Sequence, residues 1–281
     1  MVVFDPMNDF LFSKFMGSEG CEKILLSFFN SVFQEVGIKV MESVDIVDNK
    51  FISADIKGNK SCILDLRSVD SYQRKVNMEL QNRDSYHFVK RSMLYIAREI
   101  SSSAKEGNFK SLTPHVLINL LNYNFCKGSA YSAKFNIVDI KNIDCVYSDL
   151  ITIVNVDMVA FRRLKKNIDL NNPLHRWLIF FDKQRPKKIV NKVISMDDNI
   201  KLAEKKIKEV LSDEQALHDY YMRELAKMEY ISDMETSKEK GMKKGKKEEK
   251  LEIASKLKSK GISLEIIAET TNIPISKLKK L

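Results

Sequence analysis

Two short stretches decide the fold: Ser61-Cys62-Ile63-Leu64-Asp65-Leu66 and Val76-Asn77-Met78-Glu79-Leu80-Gln81. Both alternate apolar and polar residues, as half-buried β-strands do. In the second stretch Glu79 and Gln81 lie on the polar face, because successive side chains of a strand point to opposite sides. If the two strands pair as a hairpin, Asp65, Glu79 and Gln81 converge on one polar patch. Two carboxylates there are hard oxygen ligands that suit Mg²⁺.

This patch has the residue types that phosphodiester hydrolysis requires. A divalent metal held by carboxylates activates a water molecule and stabilises the leaving oxygen. Asp65 and Glu79 are the candidate ligands for Mg²⁺ or Mn²⁺, with the backbone carbonyl of Leu80 as a third. The amide of Gln81 is suited to orient the attacking water or a phosphate oxygen. The alternative is a hairpin with two solvent-facing carboxylates, and the spacing alone does not choose between them.

Three further residues are candidates for this site. Arg91 shares a helix face with Tyr95, four residues later. It binds the scissile phosphate, braces a metal-bound carboxylate, or forms a polar edge packed on the sheet. Lys90 is a candidate contact for backbone phosphate. Asp9 is either a helix cap together with Asn8 or an additional carboxylate of the site.

Composition favours an ordinary globular protein. The chain has 281 residues, of which 44% are hydrophobic and 30% charged, so we expect one sizeable domain with appendages. The four cysteines are scattered without CxxC spacing, which favours free thiols over a zinc site or disulfides. No apolar run approaches the roughly 18 residues of a membrane span, and no signal-peptide pattern opens the sequence. We therefore expect no membrane partner and a cytoplasmic location.

The positive charge is concentrated in the tail. Residues 237–281 contain 13 lysines and 6 glutamates, a net charge of +7 out of +9 for the chain. Such a tail raises affinity for polyphosphates, and the candidate DNA contacts are Lys243, Lys244, Lys246 and Lys247. The alternative is a solvated helical face. The expected organisation is a main domain over residues 1–195, a helical extension over 196–236, and a basic linker with a small helical tail over 237–281.

The hydrophobic pattern predicts a mixed fold. Asn8-Asp9 opens a helix that Gly17 ends, a second helix covers 21–36, and a third runs from Asp84 or Ser85 to about Ser103. The apolar stripe expected on the third helix is Phe88, Met93, Leu94, Ile96, Ala97 and Ile100. Strands are expected near 39–47, 50–57, 60–67, 75–82, 115–121, 131–138 and 150–156. Pro173 opens a short aromatic helix, and 251–281 suits a small helix-turn-helix.

Taken in order, these segments resemble the recombination-promoting nuclease / putative transposase family, a branch of the PD-(D/E)XK nucleases. The segments that carry the resemblance are Asn8-Asp9-Phe10, Ile63-Leu64-Asp65-Leu66-Arg67, Val76-Asn77-Met78-Glu79-Leu80-Gln81, Lys90-Arg91-Ser92-Met93-Leu94-Tyr95, Val116 to Tyr123, Leu174 to Phe181 and Lys260 to Glu269. One departure is the turn from Val69 to Arg74, which lacks the Asp-Gly turn expected in many members.

The resemblance implies an α/β (α+β) fold: a restriction-endonuclease-like core with a central mixed sheet, flanking helices and a helical C-terminal tail. It also implies a Mg²⁺-dependent DNA endonuclease that cuts duplex DNA with little sequence preference and is linked to recombination or mobile elements. Asp65, Glu79 and Gln81 then correspond to catalytic positions, Gln81 stands where lysine is frequent, and Asp9 is a possible acidic helper. Cutting both strands with one site per chain favours a homodimer. The rival is a non-catalytic DNA- or partner-binding protein on the same scaffold.

Overall fold

A computed structural model describes residues 4–47, 66–84, 87–104 and 108–280. Within these ranges the strands are β1 (Val44–Val47), β2 (Leu66–Asp70), β3 (Lys75–Gln81), β4 (His115–Leu121), β5 (Ser132–Asp139) and β6 (Asn142–Asp157). The helices are α1 (Asp9–Met16), α2 (Glu22–Glu35), α3 (Phe88–Ser103), α4 (Met158–Arg163), α5 (Pro173–Phe181), α6 (Lys187–Met196), α7 (Asp198–Ser212), α8 (Glu214–Ser259), α9 (Leu264–Thr271) and α10 (Ile275–Leu278). The strands expected near 50–57 and over 60–65 lie outside the described residues.

The described strands form one mixed sheet in the order β1-β2-β3-β4-β6-β5. β1, β2 and β3 are antiparallel, β3, β4 and β6 are parallel, and β5 returns antiparallel to β6. β4 has the bounds expected from its apolar run and is buried on both faces, as a central parallel strand should be. The predicted mixed α/β fold, with a central sheet flanked by helices and a helical C-terminal part, is confirmed.

The main core lies between one face of the sheet and helices α1, α2, α5, α6 and α7. Val76 and Met78 of β3 belong to this core, so the opposite face of β3 presents Glu79 and Gln81. Asn8 caps α1 by accepting a hydrogen bond from the Leu11 amide at 3.1 Å. Trp177 of α5 packs edge-on against Phe28 of α2 at 5.8 Å between ring centroids.

α3 covers the other face of the sheet and differs from the expectation. It begins at Phe88 with His87 at the N-cap position, and Met93 and Leu94 are about half-exposed while Tyr95 and Glu99 are buried. The expected stripe is confirmed at Phe88, Ile96 and Ile100, which are buried or packed, and wrong at Met93, Leu94 and Ala97, which are exposed. The sheet face beneath α3 is apolar at Leu117 but also carries the charges of Arg67 and Lys75. Glu99 therefore turns inward, where its carboxylate lies 3.0 Å from the Arg67 guanidinium and 3.8 Å from the Lys75 ammonium.

The turn between β2 and β3 closes without glycine. The carboxylate of Asp70 accepts hydrogen bonds from the amides of Tyr72 and Arg74, both at 2.9 Å, and from Arg74 Nε at 2.6 Å. Gln73 takes the positive φ of 61° that a glycine would otherwise supply. The chain therefore turns here without an Asp-Gly pair, and β2 and β3 are paired with Leu66 opposite Met78.

The chain divides into two compact units, Met1–Tyr221 and Met222–Leu281. In the first, α6 and α7 contribute buried residues to the main core, as does Tyr220. In the second, Ala254, Ile267, Ile273 and Leu278 form a small core among the end of α8, α9 and α10, and Ser263 caps α9. Residues 237–250, which suited a linker or a marginal helix, are helical within α8. The division at 195 and 236 stays a prediction.

Within the described residues, no helix is both long and apolar enough to span a bilayer.

His115 at the start of β4 makes the stability of the first unit depend on pH. Its imidazole is 2% exposed, and Nδ1 lies 2.7 Å from the Thr113 carbonyl oxygen. Burial, assisted by the nearby Lys75 charge and opposed by Glu99, lowers the pKa of His115 below its ordinary 6.5. Near pH 6 the unfolded chain therefore binds a proton at His115 more readily than the folded chain does. The free energy of unfolding decreases as pH drops below about 6.5.

We expect the urea midpoint of the wild type to be lower at pH 5.5 than at pH 7.5. For this one proton the free energy of unfolding should decrease by up to about 1.4 kcal/mol per pH unit. His115→Gln should flatten the slope, whereas His218→Gln, a change at an exposed histidine of α8, should leave it unchanged. An unaltered slope in His115→Gln would show that other groups control the acid sensitivity.

Candidate active site

Glu79 is a buried carboxylate on the polar face of β3. It is 4% exposed and aligns across the parallel strands with Asn119 of β4 and Asn155 of β6. Two amides rather than apolar side chains thus continue the row that Glu79 begins. A buried carboxylate needs partners that favour its charge, so this position is costly for a residue with only a structural role.

Gln81 and Arg91 hold that carboxylate in one orientation. Gln81 Nε2 donates to Glu79 Oε2 at 2.9 Å, and Arg91 donates through a terminal guanidinium nitrogen to Gln81 Oε1 at 2.7 Å. The guanidinium fixes which end of the amide faces Glu79, because it requires the carbonyl oxygen. Arg91 therefore braces the Glu79 carboxylate indirectly, by holding the Gln81 side chain that donates to it.

The carboxyl ends of β3 and β4 are tied together beside this group. The amide of Asn122 donates to the Gln81 carbonyl at 2.8 Å, and Arg162 donates to the Asn122 side chain at 3.1 Å. Asn82 donates to the Met7 carbonyl at 2.7 Å, which brings the chain just before α1 to the end of β3. Carboxyl ends of parallel strands are the usual position of functional side chains in such sheets.

Asp9 lies near this edge, two residues after Met7, but on the exposed side of α1. Asn8 makes the capping hydrogen bond to Leu11, and Asp9 Oδ1 accepts from the Phe10 amide at 3.0 Å. The cap therefore belongs to Asn8. The role of Asp9 as an acidic helper stays a prediction.

Tyr123 is a candidate that the sequence analysis overlooked. Its ring packs edge-on against Phe88 at 6.1 Å, and its buried hydroxyl has no hydrogen-bond partner in the part of the chain that the structure describes. Burial, together with the charges of Asp84 and Asp157 and against that of Arg91, raises the pKa of Tyr123 to about 12. The phenol thus keeps its proton at neutral pH and can donate a hydrogen bond. Its position two residues after the buried strand β4 is the signal that was available.

The remaining predicted site residues lie in several places. Asp65 is outside the described residues. Lys90 is exposed on the first turn of α3, next to Arg91, and Leu80 turns its side chain toward the main core. Lys243, Lys244, Lys246 and Lys247 are exposed on α8 within the second unit, and Lys244 pairs with Glu248 at 3.8 Å.

The donor chemistry at Glu79 fits a hard divalent cation, although the described residues supply only part of a ligand set. Within the described ranges no three side chains among His, Cys, Asp and Glu form a metal-binding group. Glu79 contributes carboxylate oxygens, and Leu80 is the adjacent residue whose carbonyl is the predicted third ligand. A second carboxylate has to come from Asp65 or from another acidic residue.

Arg91→Lys should reduce the rate of the DNA cleavage that the resemblance implies, without unfolding the protein. Lysine keeps the charge but presents one point charge instead of the planar guanidinium, so Gln81 is held less firmly against Glu79. Loss of a residue that orients a metal ligand typically costs about 10- to 100-fold. The measurement is the rate of metal-dependent plasmid nicking at fixed protein concentration.

Arg98→Lys is the matched control, since Arg98 lies two turns later on the same helix. It should retain the wild-type rate. Equal rates in both variants would mean that the Arg91–Gln81 contact has no role in orienting the site.

A family model described as PD-(D/E)XK nuclease family transposase matches residues 6–241. No curated protein and no solved structure gives a match. The matched range contains the whole described sheet, the Glu79–Gln81–Arg91 contacts and the first part of α8.

Proposed function

Because this chain belongs to the PD-(D/E)XK nuclease family transposases, we propose that it is a metal-dependent DNA endonuclease. The observation that carries the proposal is the buried Glu79 carboxylate, oriented by Gln81, which is in turn held by Arg91. This arrangement orients one carboxylate near the carboxyl ends of parallel strands, which supports its proposed role as a metal ligand. We propose low sequence specificity and a link to recombination or mobile elements.

The residues proposed to hold Mg²⁺, or alternatively Mn²⁺, are Asp65, Glu79 and the Leu80 carbonyl. Asp65 directly precedes Leu66, and Leu66 pairs with Met78, the neighbour of Glu79. This register supports Asp65 as the second carboxylate. When bound, the cation supplies Lewis-acid stabilisation of phosphate charge and a more acidic water molecule.

The other side chains are assigned to positioning and charge. Gln81 is a positioning residue for Glu79, and the remaining hydrogen-bonding capacity of its amide is available to a water or phosphate oxygen. Lys90, exposed beside Arg91, is proposed to contact backbone phosphate. Tyr123 is proposed to donate a hydrogen bond to a phosphate oxygen, since its raised pKa keeps the phenol protonated.

Duplex DNA is the proposed substrate, and the second unit is proposed to add affinity through its lysines. Two chains are required if both strands are cut at one place by one site each, so we propose a homodimer. The free thiols of Cys21, Cys126 and Cys145 and a DNA substrate support a cytoplasmic location.

The experiment compares four samples on supercoiled plasmid: wild type with Mg²⁺, wild type with chelator, Asp65→Ala and Glu79→Ala. Conversion to nicked or linear plasmid by wild type with Mg²⁺ alone is the expected result. No cleavage in any sample, with DNA binding intact, would favour the rival function of a non-catalytic binding protein. Deleting residues 237–281 also distinguishes the two functions. An endonuclease should still cut DNA but bind it more weakly, whereas a non-catalytic binding protein should lose DNA binding.

A further inference from the structure

A cavity of about 290 Å³ lies on the face of the sheet that α3 covers. Its walls are largely aromatic and apolar, formed by Phe88 and Val89 at the start of α3 and by Phe125 and Phe135. The last two rings meet edge-on at 6.2 Å between centroids. The cavity therefore offers flat, apolar surfaces to a ligand.

The polar lining of the cavity consists of Ser92 and the amide pair of Asn119 and Asn155. Asn119 Nδ2 donates to Asn155 Oδ1 at 2.8 Å, and this bond fixes the orientation of the Asn119 amide. Asn119 is 1% exposed, and its Oδ1 has no hydrogen-bond partner among the described residues. A buried acceptor left without a donor is costly, so a ligand with an N–H group would be favoured at this point.

The ligand suited to this cavity is flat, aromatic and carries an N–H at its edge. A cavity of about 150 Å³ holds a benzene ring, so the larger volume here accepts a one- or two-ring heterocycle. Every nucleobase has a π-face for stacking on aromatic side chains. The amino groups of adenine, cytosine and guanine, and the ring N–H of thymine, are suitable donors to Asn119 Oδ1.

The cavity is next to the candidate catalytic carboxylate. Asn119 and Asn155 occupy the same row as Glu79 on the next two strands, at backbone separations of roughly 5 and 10 Å. A DNA strand whose phosphate lies at Glu79 therefore has the base of the same or the neighbouring nucleotide within reach of the cavity.

We propose that this cavity accepts one unpaired nucleobase of the DNA strand bound at Glu79. The proposal rests on the proposed function and adds a preference: duplexes with a mismatched or unpaired base bind more tightly than fully paired ones. The preference follows because removing a base from the stack costs least where its pairing is already lost.

The test measures binding of the full-length protein to three fluorescent duplexes in the presence of chelator, so that no cleavage occurs. One duplex is fully paired, one has a single mismatch, and one has abasic residues opposite each other in both strands at the same place, so that it contains no unpaired base there. The mismatched and abasic duplexes are both locally deformable, but only the first offers a base. Stacking of one base predicts roughly tenfold or tighter binding to the mismatched duplex than to the abasic one.

Val89→Trp is designed to fill the cavity, because Val89 lines it and is half-exposed. This variant should bind the mismatched and abasic duplexes equally. Leu94→Trp makes the same kind of change at a similarly exposed position of α3 outside the cavity lining, and it should keep the wild-type preference.

Equal affinity of the wild type for the mismatched and abasic duplexes would overturn the proposal that the cavity accepts a nucleobase. The endonuclease proposal would be unaffected. If Val89→Trp still binds the mismatched duplex more tightly than the abasic one, the base binds outside the cavity, and the proposal is overturned as well. Absence of binding to any duplex, together with absence of plasmid cleavage in Mg²⁺, would overturn both proposals.

Discussion

Glu79→Gln should lower metal-dependent plasmid cleavage by about 10³-fold or more. The substitution preserves shape and removes the negative charge of the proposed ligand. A bound cation contributes several kcal/mol to transition-state stabilisation, and each 1.36 kcal/mol corresponds to about a tenfold change in rate. Because Gln81 can still hydrogen-bond to the new amide, the fold around β3 should be retained.

Thermal unfolding separates this loss from a folding defect. Removing a charge that is 4% exposed should leave the unfolding temperature equal to or above that of the wild type. Asp45→Asn is the control, since it is the corresponding acid-to-amide change at an exposed position of β1. A Glu79→Gln protein that folds and cuts at the wild-type rate would exclude Glu79 as a ligand.

Replacing Lys243, Lys244, Lys246 and Lys247 together by glutamine should weaken binding to duplex DNA by roughly 10²-fold at low salt. These lysines are exposed on α8 and lie within about 160° around the helix axis, so they form one basic surface. If all four contact phosphate, the slope of log affinity against log salt should become shallower by about 3 to 4. Titrations at several salt concentrations measure both quantities.

A charge-matched control replaces Lys187, Lys188, Lys192 and Lys201, which are exposed on α6 and α7 in the first unit. It changes the net charge by the same amount, so a general effect of charge would weaken binding in both variants. If the α8 variant keeps the wild-type affinity for duplex DNA and the same salt dependence, these lysines do not contact DNA and form only a solvated surface. Cleavage at saturating protein should persist in that variant, because the proposed catalytic residues are untouched.

The local periodicity of the sequence was sufficient for much of the fold. The alternation in Val76 to Gln81 correctly separated the core face of β3 from the face carrying Glu79 and Gln81. The apolar run of β4 predicted a strand buried on both sides, and Asn8 and Pro173 marked helix starts. These features depend on neighbouring residues and on short-range hydrogen bonds, which a sequence displays directly.

α3 shows where this reasoning was insufficient. A pattern based on apolarity alone selected Met93 and Leu94 for burial, but the sheet beneath α3 presents Arg67 and Lys75. Glu99 therefore faces inward to pair with them. Which face of a helix is buried depends on the chemistry of the surface that receives it, and that surface comes from strands distant in sequence.

The candidate site divides in the same way. The sequence by itself determined that Glu79 and Gln81 share a polar face and that the net charge lies mainly in the tail. Only the tertiary structure decided that Arg91 reaches Glu79 through Gln81, that the Tyr123 hydroxyl is buried, and that Asn119 and Asn155 continue the row of Glu79. The row joins β3, β4 and β6, whose register is set by pairing across the whole sheet. The Arg91 contact depends on how α3 packs on that sheet, so neither is set by a local pattern.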